Sequence, residues 1–387
     1  MSSVKKRWIK VIEDIYNIGQ NDKDIDLFEG QYKVNGMRYN SYLINDEKIC
    51  VLDTVAENCG NQWLDSIVDI IGDKKVDYLV ISHMESDHSY NIDKLVRKYP
   101  DITLVGNTQT FNILNKYFDI KANKLIIKNE EALNLGKHSL KFILAPMIHW
   151  PEVMFSYDEY SKTLFSADAF GKFDLEGEWD DKAAEYYFGI VGKYGNQVQT
   201  VLKKIQNLQI KNICSLHGPV LEDNIEHYVK LYNTWSAYES EKKGVVIAYG
   251  SIYGNNKKAC EYLCKILEDK GIKTKIFDLA RSDVHEVLAY AFRYDTLVIS
   301  SSTYNSDVFP CVKTFIEALN ERNFQKKNIA LIQSGSWAPL ANKAMKKLLE
   351  VDSEISFFTK EITINGSFKK NDQYQLDELA DEISKLY

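Results

Sequence analysis

The sequence lacks most features of an exported, membrane-bound or nucleic-acid-binding protein. Its six cysteines include no Cys-x-x-Cys pair, so we expect neither a rubredoxin-like site nor a zinc ribbon. The N-terminal residues have no apolar core of the kind a signal peptide needs, and no run of about 18 apolar residues is present to span a membrane. A mild net charge of -7 without a basic run argues against nucleic acid as the main partner. Free thiols without an export signal indicate a reducing cytoplasm.

The length and the patterning predict two domains, since 387 residues are too many for one ordinary core. Short apolar runs with interspersed helical patterns fill the first part, which is typical of a layered α/β domain. The polar, charged segment 238–244 follows a helix-like stretch, and we place the boundary there, with domains at 1–243 and 244–387. The second domain alternates strand and helix, which predicts a doubly wound parallel sheet.

The most informative stretch is the hexapeptide 83–88, which carries His83, Glu85, Asp87 and His88. It directly follows an apolar run that reads as a buried strand, so these side chains occupy the loop at the strand's end. Two metal ions would explain the crowding, because shared cation charge offsets carboxylate repulsion and orients every ligand. Oxygen donors with imidazole, without thiolate, favour iron or manganese over structural zinc.

Three further polar residues, His149, Asp168 and His217, each follow an apolar strand. Open α/β layers gather their sites at strand ends, so these residues could converge on the hexapeptide. Taken singly, each is more typical of a turn, a helix cap or a hydrogen-bonded core histidine. Together with the hexapeptide they supply four histidines and three carboxylates, which suits two metals sharing one bridging carboxylate. The other histidines, which we interpret as surface or satisfied core residues, are His138, His227 and His285.

The patterns His-x-Glu-x-Asp-His, His-Trp-Pro, Asp-Ala-Phe-Gly and His-Gly-Pro together resemble the flavodiiron proteins, also called A-type flavoproteins, over essentially the whole chain. This resemblance implies a metallo-β-lactamase-like αββα sandwich followed by a flavodoxin-like domain. Hydrolases of the first superfamily carry histidine at the position of Glu85, and a carboxylate there makes the site harder, which favours iron. The residue at the position of His88 is displaced from the metal in some members. The implied ligands are His83, Glu85 and His149 for one iron and Asp87, His88 and His217 for the other, with Asp168 as the bridge.

Three loops of the second domain could bind a flavin. The loop 250–256 leads from a strand into a helix, so its backbone N–H groups could bind a phosphate, although a plain strand–turn–helix connection uses the same residues. Two more loops, 302–305 and 334–337, offer small polar residues and one aromatic each to a flavin ring. The resemblance to flavodoxin and the missing Gly-x-Gly-x-x-Gly favour FMN over FAD. Asn256 stands where flavodoxin-like loops usually have threonine, and Ser302 replaces a proline common in the family. The predicted FMN-binding residues are Ser251, Ile252, Tyr253, Gly254, Asn255, Asn256, Ser302, Thr303, Tyr304, Asn305, Ser334, Gly335, Ser336 and Trp337.

The resemblance implies an oxidoreductase that reduces O2 to water, NO to N2O, or both, with electrons supplied through FMN. No rubredoxin or flavin reductase domain is appended, so we expect a separate donor, a rubredoxin-like protein or a reduced flavin or deazaflavin system. The resemblance also implies a head-to-tail homodimer or dimer of dimers. Two rivals remain at this stage: a di-zinc hydrolase fused to a flavodoxin-like domain, and an electron carrier whose first domain is only structural. The choice between O2 and NO stays open, since it depends on pocket shape and on residues around the ligands.

Overall fold

A computed structural model describes residues 7–349 and 354–387. The described chain forms two compact units. The first unit contains the chain up to Tyr187 and the stretch Asn196–Asn233, and the second contains Phe188–Gly195 and Thr234–Tyr387. Within the described ranges, no helix has both the length and the apolar character needed to cross a membrane.

The first unit is built on two sheets whose inner faces share a core. Leu52 and Val80 of one sheet and Phe142 and Met154 of the other belong to a single buried apolar cluster. The sheets therefore pack face to face, and this confirms the predicted sandwich. The larger sheet contains β1 Ile9–Ile12, β2 Ile15–Asn17, β7 Tyr42–Asn45, β8 Ile49–Leu52, β9 Tyr78–Val80, β10 Thr103–Gly106 and β11 Asn123–Ile126. Two separate antiparallel pairs are formed by β3 Gln20–Asp22 with β6 Met37–Tyr39, and by β4 Leu27–Phe28 with β5 Tyr32–Lys33. The smaller sheet contains β12 Ala132–Asn134, β13 Ser139–Leu144, β14 Met154–Asp158, β15 Thr163–Phe165 and β16 Asn212–Cys214.

The strand order brings the predicted ligand-bearing loops to neighbouring strand ends. The larger sheet runs β1-β2-β7-β8-β9-β10-β11, and the smaller runs in chain order from β12 to β16. The hexapeptide follows β9 in the larger sheet, while Asp168 follows β15 and His217 follows β16 in the smaller. Because β15 and β16 are parallel, their two loops leave the sheet at the same edge.

The helices of the first half follow the expected apolar periodicity. In α1 the side chains of Trp63, Ile67 and Ile71 recur every four residues and are all buried, as the pattern predicted. Gly72 ends this helix in a left-handed conformation (φ 61°), where a side chain would be strained. The helices are α1 Gly60–Ile71, α2 Ser86–Ser89, α3 Ile92–Lys98, α4 Thr108–Tyr117, α5 Trp179–Tyr186, α6 Gly195–Ile205 and α7 Ile225–Ser236.

The second unit has the predicted doubly wound sheet. Its order, β18-β17-β19-β21-β22, places the first strand second in space, which is the flavodoxin-like arrangement. Besides these, β20 pairs with β19 and β23 pairs with β21. The strands are β17 Lys242–Gly250, β18 Thr274–Asp278, β19 Tyr294–Tyr304, β20 Asp307–Val308, β21 Lys327–Gly335, β22 Ile355–Phe357 and β23 Ile362–Asn365. The helices are α8 Asn255–Asp269, α9 Val284–Arg293, α10 Pro310–Glu321, α11 Ala341–Leu349 and α12 Lys370–Ser384.

Two segments differ from the sequence expectation. The last helix begins at Lys370, ahead of the apolar pattern that starts at Leu376. Its polar first turn is capped by the Asp372 carboxylate, which accepts a hydrogen bond from the Lys369 N–H at 2.7 Å. The segment Phe188–Gly195 joins the second unit although it lies far upstream in the chain. Phe188 stacks on Phe292 with ring centroids 4.5 Å apart. No periodicity signals such a long-range aromatic contact.

His138 is a buried histidine that links turns of the first unit. Its Nδ1 lies 2.9 Å from Asp158 Oδ2 and its Nε2 lies 3.6 Å from Asp14 Oδ2. Burial lowers the pKa of His138, but Asp158 and the neighbouring carboxylates outweigh burial and raise the pKa above its usual value. His138 is thus a core histidine whose Nδ1 is hydrogen-bonded, whereas its Nε2 has no hydrogen-bond partner among the described residues.

We expect His138→Gln to destabilise the protein by about 1–2 kcal/mol at mildly acidic pH, because protonated His138 holds two carboxylates. Its pKa is higher in the folded than in the unfolded state. The stabilisation is therefore complete below the unfolded value of about 6.5 and is lost as pH rises through the folded value. Thermal unfolding midpoints of variant and wild type should differ more at low pH than at high pH. His227→Gln, at an exposed ion pair with Asp180, is the control and should shift the midpoint little. An equal effect of His138→Gln at all pH values would contradict the assignment.

Candidate metal and flavin sites

The structure brings all seven predicted metal ligands together at the strand ends of the first unit. They form two groups, and within each group the potential ligand atoms all lie within 4.8 Å of one another. The first group is His83, Glu85, His149 and Asp168, and the second is Asp87, His88 and His217. This division is the same as the one that the family resemblance implied.

The carboxylate of Asp168 lies between the two groups. Its Oδ2 is 3.3 Å from His149 Nε2 and 3.5 Å from His83 Nε2. Its Oδ1 is 3.2 Å from His88 Nε2 and 3.8 Å from His217 Nε2. One oxygen therefore faces each group, which is the arrangement that a carboxylate bridging two metals requires.

Unsatisfied buried atoms indicate that these residues fit cations. Among the described residues, both carboxylate oxygens of Asp87 and Oδ1 of Asp168 are buried without a hydrogen-bond donor. Buried polar atoms are nearly always satisfied, so three such oxygens in one site call for a positive ligand. The Nε2 atoms of His88 and His217 lie 3.0 Å apart, as two ligands aimed at one point would. The donors are carboxylate oxygen and imidazole nitrogen, which suit iron or manganese.

The ionisable groups also shift one another's pKa. Burial lowers the pKa of His88 and of His149, but the surrounding carboxylates outweigh burial and raise these values to about 10 and about 9. For Asp87 and Asp168, burial raises the pKa, but the neighbouring histidines lower it below the usual range. The same attraction would hold a cation, and metal binding must then displace protons from the imidazoles.

The residues after β8 fix the hexapeptide at both ends. Asp53 Oδ1 accepts hydrogen bonds from the N–H of Ser82 at 2.7 Å and of His83 at 3.1 Å. The Thr54 N–H and hydroxyl both donate to the His88 carbonyl at 2.8 Å. Asp53 holds a left-handed conformation (φ 56°), which is sparsely populated without glycine and is kept here by these contacts.

Two imidazoles are oriented by acceptors on their outer nitrogen. His83 Nδ1–H donates to Glu152 Oε1 at 2.9 Å, and His217 Nδ1–H donates to the Arg38 carbonyl at 2.9 Å. In both rings Nε2 keeps its lone pair for a metal. Glu152 is fully buried, and its Oε1 also accepts from the Met84 N–H at 2.8 Å. Sequence reasoning missed Glu152, although an acidic residue three positions after His149 and next to β14 was a usable signal.

Aromatic rings cover His217, one of the three residues of the second group. Phe28, Tyr39 and Tyr186 place their ring centroids 5.5, 5.7 and 5.5 Å from that of His217. Tyr186 is fully buried, and its hydroxyl has no hydrogen-bond partner among the described residues. A buried hydroxyl beside a metal site is available to a ligand bound there.

Glu29 stands at the tip of the β4–β5 hairpin, directly after Phe28, in a left-handed conformation (φ 49°). The residue is exposed, yet its carboxyl feels the charges of both metal groups. Burial of the carboxyl, followed by the charge of Glu85, raises the pKa of Glu29 to about 7. No pattern in the sequence signals Glu29, because its position near the site depends on how a short hairpin folds.

The predicted flavin loops line one cavity of about 350 Å³ in the second unit. Every predicted FMN-binding residue lines it except Gly254 and Tyr304, and three residues that sequence reasoning missed, Ser306, Ala338 and Gly366, line it as well. Gly254 instead begins α8 in a left-handed conformation (φ 84°). Tyr253 and Trp337 are 91% and 92% exposed, so both rings are free to cover a flavin.

Asn256 is placed differently from a phosphate-binding threonine. Its amide nitrogen donates to the Ser300 hydroxyl at 2.8 Å, and its carbonyl oxygen accepts from the hydroxyls of Ser302 and Ser334. Both ends of the side chain are therefore engaged below the loop, at the ends of β19 and β21. Asn256 still lines the cavity, although the neighbouring serines supply hydrogen-bond partners for both ends of its amide.

Comparison with known proteins agrees with this two-part organisation. A family described as ODP family beta lactamase matches residues 37–218, and the flavodoxin family matches residues 247–378. A nitric oxide reductase from Moorella thermoacetica is 30% identical over 357 residues, covering 88% of this chain and 89% of that protein. An anaerobic nitric oxide reductase flavorubredoxin from Salmonella paratyphi B is 28% identical and covers 85% of this chain and 72% of its own length.

Solved structures share the fold. Rubredoxin oxygen:oxidoreductase from Desulfovibrio gigas superposes with a TM-score of 0.90 at 24% identity, covering 98% of both chains. The flavodiiron protein from Giardia intestinalis superposes with a TM-score of 0.87 at 24% identity, covering 98% of this chain and 97% of that chain.

We expect Glu152→Ala to weaken metal binding about 10- to 100-fold, because His83 loses the acceptor that orients its ring. Glu152→Gln should weaken it less, since the amide oxygen can still accept from His83 and Met84. Metal content after dialysis against graded chelator measures the effect. Glu159→Ala, at an exposed position after β14, is the control. Wild-type metal retention in Glu152→Ala would show that this carboxylate does not position the ligand.

Proposed function

The chain belongs to the flavodiiron proteins and is an oxidoreductase, and we propose that it reduces O2 to water, NO to N2O, or both, at the metal groups of its first unit. The cofactors of this family, FMN and a di-iron centre, fit the two sites described above. When bound, the flavin supplies single electrons and the two irons supply the place where the substrate is bound and reduced.

The placement of Asp168 carries this proposal. Its two buried oxygens face two separate groups of histidine and carboxylate ligands. We assign His83, Glu85 and His149 to one iron and Asp87, His88 and His217 to the other, with Asp168 between them. Single-metal and purely structural sites have no need of a central carboxylate with one oxygen turned to each side.

The reaction consumes protons as well as electrons, and two residues are placed to handle them. O2 reduction to water requires four protons, and coupling of two NO molecules to N2O and water requires two. Glu29 stands at an exposed hairpin tip, and its carboxyl is close enough to both metal groups to be affected by their charges, so it can take a proton from solvent and pass it toward the substrate. The unpaired Tyr186 hydroxyl can donate a hydrogen bond to a substrate oxygen.

In the second unit we assign the FMN to the cavity lined by the three predicted loops. The first turn of α8 would bind the phosphate, and Tyr253 and Trp337 would cover the ring. Asn256 would support the loop from below and leave the phosphate to Ser251 and Asn255. The experiment that follows from this assignment is FMN titration by fluorescence quenching of the apoprotein.

The proposal also covers the electron donor, the location and the oligomeric state of the protein. The electron donor is a separate rubredoxin-like protein or a reduced flavin system, since no cysteine belongs to a Cys-x-x-Cys pair. The protein acts in the cytoplasm, which is supported by six free cysteines. It acts as a head-to-tail homodimer or dimer of dimers, as its family does.

The di-zinc hydrolase reading is the less favoured alternative. Glu85 supplies a carboxylate where those hydrolases carry histidine, and the relatives described above are reductases. Metal analysis of protein purified without oxygen separates the two readings. Iron as the main metal supports the reductase, whereas a zinc-only site with esterase activity would contradict it.

We expect Asp168→Asn to lower the rates of O2 and NO consumption by at least about 100-fold, because the bridge between the metal groups loses its charge. Stopped-flow oxidation of the reduced protein by O2 and by NO, measured side by side, gives both rates. FMN content should stay at the wild-type level, since the flavin cavity is in the other unit. Asp180→Asn, at an exposed aspartate paired with His227, is the control. Unchanged rates in Asp168→Asn would place the chemistry away from these metals.

A further inference from the structure

A second cavity of the first unit is lined by three cations, and two of them, Arg38 and Lys172, form no ion pair with a described residue. It has a volume of about 400 Å³ and is lined in part by Arg38, Lys172 and Gly218. Gly218 follows the ligand His217, and a side chain at Gly218 would collide with Lys172, 2.8 Å away at Cγ. The cavity thus adjoins the segment that carries one metal ligand, although none of the seven ligands lines it.

Neutral oxygens alone satisfy both cations. Lys172 is 6% exposed, and its Nζ donates to the carbonyls of Glu176 at 2.8 Å and Gly177 at 3.2 Å. Arg38 donates from Nε to Asn40 Oδ1 at 2.7 Å and from Nη1 to Asn21 Oδ1 at 3.1 Å. Neither forms an ion pair with any described residue.

Burial makes this pair costly for the fold. Burial is the largest influence on the guanidinium of Arg38 and the ammonium of Lys172, and it lowers the pKa of each. Two carboxylates line the wall, Asp174 and Glu222. Asp174 is already bound to Lys182 at 2.9 Å and accepts from the Asn35 N–H at 2.6 Å. Among the described residues, Glu222 forms no ion pair with Arg38 or Lys172. Buried charges without an ion-pair partner are expensive, so Arg38 and Lys172 in one cavity indicate that a ligand supplies further negative charge.

We propose that this cavity binds a small organic oxyanion, a carboxylate or a phosphate monoester, between Arg38 and Lys172. The guanidinium still has N–H groups unused, and its planar fork matches an oxyanion. Ile9, Val11 and Val220 provide apolar surface for a short organic body. The Arg38 carbonyl accepts the hydrogen bond from His217, so a bound anion acts on the same residue that orients this imidazole.

The test is isothermal titration of the metal- and flavin-loaded protein with phosphate, with acetate and with chloride at constant ionic strength. We expect saturable binding of phosphate or acetate but not of chloride. Tighter binding of phosphate indicates a phosphate monoester as the ligand, and tighter binding of acetate indicates a carboxylate. No saturable binding of either oxyanion, or equal binding of chloride, would overturn the proposal without any variant being needed.

Substitutions then locate the site. Arg38→Gln and Lys172→Gln should each weaken binding about tenfold or more, since each removes a charged hydrogen-bond donor. Lys203→Gln, an exposed lysine of α6, is the matched control and should bind like the wild type. Metal and FMN contents of each variant confirm that the protein is intact. Wild-type affinity in both cavity variants, or an equal loss in the control, would show that the anion binds elsewhere.

Discussion

The first unit depends on one electrostatic constraint, which is that the Asp168 carboxylate is buried between two sets of imidazole and carboxylate groups. Burying any one of these ionisable groups without a partner would cost free energy, because the group would lose its hydration. Their mutual attraction holds the histidine pKa values up and the aspartate values down. The same charges that attract one another also suit a cation held among them. Every loop that contributes a ligand is tied to a strand end to meet this requirement.

The backbone around the centre is held in conformations that most residues avoid. Asp53, Met147, Ala167 and Phe170 all have positive φ values, and each lies in a loop that holds or carries a ligand. Such strain persists only where surrounding contacts over-determine the structure. Here the contacts are visible: Asp53 binds two backbone N–H groups, and the Phe170 N–H donates to the Tyr232 hydroxyl at 2.5 Å. These hydrogen bonds to neighbouring loops and helices keep the ligand-bearing loops in their strained backbone conformations.

Local pattern explains most of what the sequence could predict. The hexapeptide, the polar residues at strand ends and the family resemblance together predicted the seven residues that lie close to one another in the structure. Alternation of strand and helix predicted the doubly wound sheet. What escaped prediction depends on long-range packing. Glu152 reaches His83 only because two sheets face each other, and Glu29 reaches the site only because a two-residue strand pair folds over it. Asn256 has a flavodoxin-like position, but buried serines from two other strands decide its contacts.

The assignment of Phe188–Gly195 to the second unit has a consequence for how the protein can be divided. The backbone crosses from the first unit to the second, returns to the first, and crosses again. Each unit is therefore made of two separate segments of the sequence. No single peptide bond separates them intact. A fragment that starts after the last passage lacks Phe188 and leaves Phe292 without its stacking partner. A fragment of the second unit alone therefore needs Phe188–Gly195 to keep the contact between Phe188 and Phe292, even though each unit has its own sheet.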